Sequence, residues 1–478
     1  MSTHHELDTL RATLNRALDD LRAELDAMQL PPLSTTSKER HPLDDPNYLP
    51  SRKLYHSRGL ALGGYSVHKS SQKAHNVRWD LFQACMGQLK SLIQNPFDHA
   101  VEQSYAVFET AAIESFVQTG IVDVLAGSPD GVHVTDVQQH LDLSSTRCLT
   151  ILRYLTTHGW VRECKEGTFA LNRPALALLE GNSARSWIAF SHKPQIAMAL
   201  VPWLQHKEWR HSSSHVETAF QISHSTELSY FDWMKQNPEY MRMFSIGMQS
   251  LGASHTQGIV ADFPWHELET PTVVDIGGGN GSLAATVSKH YPHLRFIVQD
   301  RPPVVDQANK HLLSVAKDAY EAGRITAEPY DFFLPQPHTG DEYSFMFRHV
   351  LHDWPHDKAV SILRTVARAA GQKSKILIIE RISALGRYPS YSCLPEAPKS
   401  PLITNGYKQE RYTPFIPENL GAASRVTHAI TLYLMSILNA HERTVTEWTA
   451  LIEEAGLRVV KVHALRSPLS LIECAVMA

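Results

Sequence analysis

The chain has 478 residues, 43% of them hydrophobic and 20% charged, and a formal net charge of -4 at pH 7. This length predicts two or three domains, and the charge gives no sign of the broad basic face typical of nucleic-acid-binding proteins. The five cysteines are widely spaced without a CxxC pair, so neither a disulfide framework nor a zinc site is expected. Because the sequence also lacks a secretory signal and a long apolar run, we expect a cytoplasmic protein with no membrane partner.

Residues 1–30 carry an amphipathic helical pattern. Its apolar residues recur at spacings of three and four, as one face of a helix requires. This helix either docks on its own protein or pairs with a second copy as a short coiled coil, and we favour docking because the pattern covers barely three heptads. Residues 31–76 are polar and proline-bearing, which predicts an extended linker or arm. The apolar residues of the pattern are Leu7, Leu10, Leu14, Leu18, Leu21, Leu25 and Met28.

Residues 77–200 show the pattern of a winged-helix domain. A short helix and a turn precede a second helix that begins at Ser144 or Ser145, and the following residues alternate like a two-stranded wing around Gly167. A winged helix can bind DNA, but the second helix carries many more apolar residues than basic ones. We therefore predict a dimerisation domain rather than a DNA-binding one.

Residues 201–268 are helical and rich in aromatic residues, which predicts a substrate-pocket segment. From 269 to 478, apolar strand-like runs alternate with helical stretches, as in a parallel sheet with crossover helices. A proline-rich insertion at 384–424 interrupts this alternation. The predicted fold class is therefore α/β, with a Rossmann-like domain and a parallel-rich sheet after an α-helical N-terminal domain.

A nucleotide-binding signature opens the α/β region. The strand that contains Asp275 runs into the glycine turn 277–281 and then into a helix, and Asp300 ends the next strand. Glycine lets the backbone approach a ligand closely, and a terminal acid can accept ribose hydroxyls. The spacing is GxGxG rather than the GxGxxG usual for NAD(P), and an acid before the turn suits a cationic amino group. These features favour S-adenosylmethionine.

Five motifs in order carry a family resemblance, namely VVDIGGGNGSLAATVSKHYPHLRFIVQDRPPVV, AEPYDFF, FRHVLHDWPHDKAVSILR, NAHERTVTEW and EEAGL. Over roughly residues 100–478 the sequence resembles the class I O-methyltransferases of plant and fungal secondary metabolism. The resemblance implies S-adenosyl-L-methionine as cofactor, a small aromatic or polyketide-type acceptor and a homodimer built by the N-terminal domain.

The same resemblance assigns the site residues. His352, in the HDW motif, is implied to be the general base, with Glu380 and Glu442 orienting it. A phenol has a pKa near about 10 and is a poor nucleophile at neutral pH, so a base titrating near about pH 6.5–7 would assist its methylation. The residues predicted to contact the cofactor are Asp275, Gly277, Gly279, Asp300, Asp331, Phe332 and Arg348.

Two further predictions concern the surroundings of His352. His349 and His356 flank it at helical spacing, but no carboxylate or cysteine set completes a ligand sphere, so we predict no metal site. The acceptor pocket is expected to have flat apolar walls. Its predicted residues are Phe231, Trp233, Met241, Phe244, Met248, Trp354 and Met435.

Alternative functions remain open at this point. Some fungal proteins of this fold bind S-adenosylmethionine and act as pericyclases without methyl transfer. The retained His352, Glu380 and Glu442 favour methyl transfer, while the insertion at 384–424 and the N-terminal extension keep the pericyclase alternative open. A DNA-binding regulator with a cofactor-sensing domain is disfavoured by the charge. The sequence leaves the acceptor, and oxygen against nitrogen as the methylated atom, undetermined.

Overall fold

The computed structural model describes residues 5–37, 39–45, 79–189, 193–384, 400–406 and 415–477. Most of the predicted linker and much of the proline-rich insertion lie outside these ranges. Among the described residues, no helix combines the length and the apolar character that crossing a membrane requires.

The N-terminal part is mainly helical. A small antiparallel sheet, ordered β1-β3-β2, contains the expected pair of strands around Gly167. The helices and the hairpin are those that a winged helix needs, although that label and the domain boundaries stay predictions. The elements are α1 (His5–Ala27), α2 (Trp79–Ile93), α3 (Pro96–Ser104), α4 (Ala106–Gln118), α5 (Ile121–Ala126), β1 (Val132–His133), α6 (Val134–Leu141), α7 (Ser145–Thr157), β2 (Val161–Lys165), β3 (Thr168–Leu171) and α8 (Ser183–Ala189).

Helix α1 packs on its own chain. Leu10 is fully buried in a small apolar cluster with Ala84 and Cys85 of α2 and with Ile416 and Leu420. The apolar face predicted from the leucine spacing is thus occupied in part by the chain's own α2 and by the end of the insertion. This packing favours docking over an intermolecular coiled coil.

The helical segment between residues 193 and 262 packs around an aromatic core. Its helices pack with a later helix, α19 (Arg425–Leu438), so that residues far apart in sequence share one apolar cluster. The helices of the segment are α9 (Lys193–Met198), α10 (Leu200–Leu204), α11 (Ala219–His224), α12 (Tyr230–Gln236) and α13 (Pro238–Asp262).

The C-terminal part is a seven-stranded sheet ordered β6-β5-β4-β7-β8-β10-β9. The first five strands in this order are parallel, and β10 runs antiparallel to both of its neighbours, β8 and β9. The predicted α/β class with a parallel-rich sheet is confirmed. The strands are β4 (Thr272–Ile276), β5 (Arg295–Asp300), β6 (Ile325–Pro329), β7 (Tyr343–Arg348), β8 (Ile376–Glu380), β9 (Leu457–Ala464) and β10 (Ser470–Val476).

Helices cover this sheet, and two apolar clusters form its core. Strands β4 and β8 are buried at every position, which explains why they read as unbroken apolar runs apart from Asp275 and Glu380. The remaining helices are α14 (Ser282–His290), α15 (Pro302–Val315), α16 (Lys317–Glu321), α17 (His356–Ala369), α18 (Pro401–Thr404), α19 (Arg425–Leu438) and α20 (Val445–Glu454). The parallel strands end at one edge, where ligands bind in open α/β sheets.

Candidate active site

The glycine turn follows β4 at the carboxyl edge of the sheet. Gly277 and Gly279 both have left-handed backbone, with φ of 68° and 60°. A Cβ atom at Gly277 would lie 2.8 Å from Cγ2 of Val350, so both the conformation and the space require glycine there. Asp300, at the end of β5, faces this turn, because its Oδ2 accepts a hydrogen bond from the Gly279 amide at 3.0 Å.

Asp275 and Arg348 are charged residues on the neighbouring strands β4 and β7. Asp275 is only 2% exposed, and its burial raises its pKa to about 7, while the positive charge of Arg348 favours the ionised carboxylate. The Arg348 guanidinium donates a hydrogen bond to Oγ1 of Thr256 at 3.3 Å, which links it to α13. The structure thus brings a buried carboxyl group, a guanidinium group and the glycine turn together at the same edge of the sheet.

Asp331 and Phe332 come directly after β6. Asp331 is exposed, and its Oδ1 accepts a hydrogen bond from the Phe333 amide at 3.0 Å. Phe332 is half-buried and contacts Trp354 edge to face, with 5.7 Å between ring centroids. The structure therefore places Trp354 beside a predicted cofactor residue rather than in the cluster that holds most of the other predicted acceptor-pocket residues.

His352 lies in the short helical turn Leu351–Asp353 and is 8% exposed. Its Nδ1 is 3.1 Å from Oε1 of Glu442 and 3.5 Å from Oε2 of Glu380. Its Nε2 is 3.4 Å from Oδ1 of Asp353. The three residues predicted as the catalytic set are therefore in contact, although their sequence positions are far apart.

The two acids contact this turn in different ways. Oε1 of Glu380 accepts hydrogen bonds from the backbone amides of Val350 and Leu351, each at 2.9 Å. Glu442 instead contacts the imidazole ring. Arg443 donates to the carbonyl oxygens of Leu351 and Trp354 at 2.6 and 2.5 Å. Glu380 and Arg443 thus hold the backbone of the turn, and Glu442 holds the ring.

The protonation of His352 differs from the sequence expectation. Burial lowers the pKa of its imidazole, but the negative charges of Glu380, Glu442 and Asp353 outweigh burial and raise the pKa to about 10. Burial also raises the pKa of Glu442, yet the contacts with His352 and the charge of Arg381 bring it below its usual range. The site as described therefore favours an imidazolium paired with the Glu442 carboxylate at neutral pH, rather than a neutral base titrating near pH 7.

Two further histidines lie beside this set. His349 has a φ of 54°, its ring centroid is 5.2 Å from that of His352, and its Nδ1 is 3.9 Å from Oε2 of Glu380. The centroid of the fully buried His255, on α13, is 5.8 Å from that of His349. His356, by contrast, points to the surface and bonds Glu454 at 2.9 Å. The sequence spacing thus indicated His349 correctly as a neighbour of His352, but His356 lies elsewhere. It gave no indication that His255 lies in the same region.

Most of the predicted acceptor-pocket residues meet in one aromatic cluster, formed by α9–α13 and α19. Sequence reasoning missed a polar group inside it: the hydroxyl of Tyr230 is 3.0 Å from that of Tyr240 and 3.1 Å from that of Tyr433. Met248 lies further along α13 and is not part of the cluster. The predicted residues that pack in the cluster are Phe231, Trp233, Met241, Phe244 and Met435.

Comparison with known proteins agrees with this geometry. Residues 206–395 match the O-methyltransferase domain family. The O-methyltransferase tpcA of Aspergillus fumigatus is 29% identical over 429 residues, which cover 82% of this chain and 85% of the relative. Among solved structures, the mitomycin 7-O-methyltransferase MmcR is similar with a TM-score of 0.62 and 23% identity, over 80% of this chain and 97% of its own. A structure described as a pericyclic reaction enzyme has a TM-score of 0.65 and 21% identity, over 85% and 95%.

The fold and the glycine-lined edge define a Rossmann-like methyltransferase. Residues 206–395 carry an O-methyltransferase domain, and the chain is similar to named O-methyltransferases over most of its length. The predicted family, enzyme class and cofactor are confirmed. The likenesses to solved structures lie below 25% identity and show the fold alone, so they do not distinguish methyl transfer from a pericyclic reaction.

Proposed function

We propose that this enzyme transfers the methyl group of S-adenosylmethionine to a phenolic or enolic hydroxyl of a small aromatic or polyketide-type secondary metabolite, with His352 as the proton acceptor. The observation that carries the proposal is the contact of Glu442 with Nδ1 of His352, at the sheet edge that holds the glycine turn. This contact leaves Nε2 as the nitrogen that can meet an acceptor. An imidazole held by a carboxylate is the arrangement that general-base catalysis uses.

The described residues fit the cofactor. Gly277 and Gly279 let the turn approach a ligand, since a Cβ at Gly277 would clash with Val350. Asp300 ends β5, where an acid can accept ribose hydroxyls, and the buried Asp275 can pair with a cationic amino group. When bound, S-adenosylmethionine supplies an electrophilic methyl group on a sulfonium. Arg348, at the end of β7, would pair with the carboxylate of the cofactor.

His352 has a pKa suited to a phenolic acceptor. A free phenol titrates near about 10, and the carboxylates around His352 raise the pKa of the imidazole to about 10. A proton therefore moves between the acceptor hydroxyl and Nε2 at little cost. The imidazolium that results is stabilised by Glu442 and Glu380. The neutral ring, which accepts the proton, is the minority form at neutral pH in the site as described.

Positioning is expected to contribute more than the base. General-base catalysis supplies about 10²–10⁴-fold, or roughly 3–5 kcal/mol, whereas correct alignment of reacting atoms can supply roughly 7–11 kcal/mol. The aromatic cluster next to the site offers flat apolar surface for a planar acceptor. The hydroxyls of Tyr230, Tyr240 and Tyr433 add hydrogen-bonding groups within it.

A pericyclic reaction is the second candidate function, and the similarity to a pericyclic reaction enzyme motivates it. The contact between His352 and Glu442 favours methyl transfer over a cycloaddition, because a concerted cycloaddition transfers no proton and has no need of a carboxylate-held proton acceptor. The test is incubation of the purified enzyme with S-adenosylmethionine and fungal metabolite extracts, followed by mass spectrometry. We expect S-adenosylhomocysteine and a product heavier by one methylene unit. A changed metabolite with intact cofactor would overturn the proposal in favour of a pericyclase.

A matched pair of glycine substitutions tests the cofactor site. Gly277→Ala and Gly323→Ala both place alanine at positive φ, but only the former meets a neighbour, Val350. Both should lose about 1–2 kcal/mol of stability from the left-handed backbone. We expect only Gly277→Ala to weaken S-adenosylmethionine binding, by at least tenfold in calorimetry. Equal affinities of the two variants for S-adenosylmethionine would show that the glycine turn is not part of the cofactor site.

We also propose that the enzyme is a homodimer formed through its N-terminal helices. Helix α3 buries none of its residues within the single chain, although it carries apolar side chains. Ile93, Phe97 and Phe108 are 72%, 74% and 59% exposed, which leaves a continuous stretch of chain with an uncovered apolar surface. We further propose a cytoplasmic location, where thiols such as those of Cys85, Cys148, Cys164 and Cys474, which form no disulfide among the described residues, stay reduced.

Introducing charged residues into this apolar surface tests the dimer. We expect the wild-type chain to sediment as a dimer at micromolar concentration and the double variant Phe97→Glu/Phe108→Glu to sediment as a monomer, because a dimer would bury the added charges. Leu313→Glu, at an exposed apolar position on α15, is the control and should stay dimeric. A monomeric wild type, or a dimeric double variant, would refute this interface.

A further inference from the structure

One residue beside the catalytic set has no part in the proposed mechanism. His349 follows β7 directly and holds a left-handed backbone, with a φ of 54°. For a residue other than glycine this conformation costs roughly 1–2 kcal/mol. It directs the imidazole towards Glu380 on the neighbouring strand, where Nδ1 lies 3.9 Å from Oε2.

His349, His352 and Glu380 each bring a metal-binding atom to the same place. One such atom from each residue lies within 4.8 Å of the other two. Oε2 of Glu380 is also 3.5 Å from Nδ1 of His352, and Oε1 of Glu442 is 3.1 Å from that same nitrogen. Zinc ligands at about 2.0–2.2 Å from the ion lie roughly 3.4 Å apart in a tetrahedron. The separations of 3.1, 3.5 and 3.9 Å lie within about 0.5 Å of that spacing, whereas the widest pair in the group, at up to 4.8 Å, would close by roughly 1.4 Å on binding an ion.

Two of the carboxylate oxygens in this group lack hydrogen-bond donors. Within the described ranges, Oε2 of Glu380 and Oε2 of Glu442 are buried and accept no hydrogen bond. Both side chains are fully buried. Leaving a buried acceptor unsatisfied costs about 1–3 kcal/mol, and more for a charged group. A cation at this position would pair with these oxygens.

We propose that His349, His352 and Glu380, with Glu442 as a fourth ligand, bind a divalent first-row transition metal such as Zn²⁺, and that this binding inhibits the enzyme. Two imidazoles and two carboxylates suit zinc or cobalt, whereas magnesium and calcium prefer oxygen ligands alone. Arg381 lies 3.6 Å from Glu442 and opposes the added charge. The site is therefore weaker than a structural zinc site of the same ligands.

Inhibition follows from which nitrogen of His352 the metal uses, and this part rests on the proposed function. A metal–nitrogen bond forms with the lone pair of Nδ1, and the proton on Nδ1 leaves to solvent. The remaining ring proton then resides on Nε2. Because Nε2 no longer has a lone pair, it accepts no proton from the acceptor hydroxyl.

Cobalt binding tests the site directly. The full-length enzyme is titrated with Co²⁺ and followed by its visible absorption, with no acceptor present. We expect one equivalent per chain for the wild type. His349→Phe, which keeps a ring of similar size without nitrogen, should bind at least about tenfold more weakly, since even supporting groups around a metal are worth 10–100-fold. His356→Phe removes a surface histidine and is the matched control, with unchanged binding expected.

Inhibition is then measured with Zn²⁺. Wild-type methyl transfer should fall with added Zn²⁺ and recover with EDTA, and His349→Phe should need at least about tenfold more Zn²⁺ for half-inhibition. His349→Gln, checked by thermal melting, replaces the phenylalanine variant if that one does not fold. No cobalt binding by the wild type, or equal binding by wild type and His349 variants, would overturn the site. Cobalt binding without any methyl transfer would keep the site and refute the proposed function instead.

Discussion

Replacing His352 by alanine is expected to lower kcat by about 10²–10⁴-fold and to leave S-adenosylmethionine binding unchanged. The imidazole is the proton acceptor in the proposed reaction, and the predicted cofactor residues lie outside the turn Leu351–Asp353 that carries it. Single-turnover rates and calorimetric titration with S-adenosylmethionine measure the two effects separately.

A second histidine on the same segment is the control for this variant. His356 bonds Glu454 at the surface, so His356→Ala should keep the wild-type rate within about threefold, as surface substitutions usually have small effects. If His352→Ala loses affinity for the cofactor but keeps the rate of the bound enzyme, His352 belongs to the cofactor site and not to proton transfer.

The α/β part of the fold could be predicted from local sequence patterns. Its strands β4 and β8 are buried on both faces, and such strands appear as mainly apolar runs between helical stretches. The glycine turn was equally accessible, because Gly277 is required by its own backbone and by a close neighbour. Asp300 could be placed because parallel strands end at the same edge of the sheet.

Contacts between distant elements could not be predicted in this way. Trp354 is three residues from Leu351 but packs on Phe332 and Phe333, since the turn directs it towards the end of β6. The contact of His349 with Glu380 depends on the left-handed backbone of His349, which no sequence pattern specifies. His255 reaches the same region from α13, roughly a hundred residues earlier in the chain.

A small apolar cluster connects the N-terminal helix α1 to the residues that precede α19. Helix α1 packs on α2 and on Ile416 and Leu420, directly before α19 begins. The same helix α19 carries Tyr433 into the aromatic cluster. The N-terminal helix and the end of the insertion thus pack on each other shortly before α19, the helix that brings Tyr433 to the proposed acceptor pocket.

The two glutamates beside His352 should respond differently to the same substitution. Glu442→Gln keeps a hydrogen-bond acceptor for Nδ1 but removes the charge that stabilises the imidazolium. We expect kcat to fall by about 10²-fold or more, by analogy with the loss of the carboxylate in other carboxylate–histidine pairs, and the melting temperature to change little.

Glu380→Gln should act first on stability. Oε1 of Glu380 accepts the backbone amides of Val350 and Leu351, and hydrogen bonds to a charged acceptor are worth about 1.5–3 kcal/mol against about 0.5–1.5 for a neutral one. Burial opposes this effect by raising the pKa of the Glu380 carboxyl to about 7, since the buried charge itself costs free energy that glutamine relieves. We therefore expect a net loss of about 1 kcal/mol in the free energy of unfolding, seen in denaturant titration. A Glu442→Gln enzyme with the wild-type rate, or a Glu380→Gln enzyme with wild-type stability, would show that the structure does not divide the two roles between these acids. Measured together, the variants separate the group that holds the ring from the group that holds the turn beneath it.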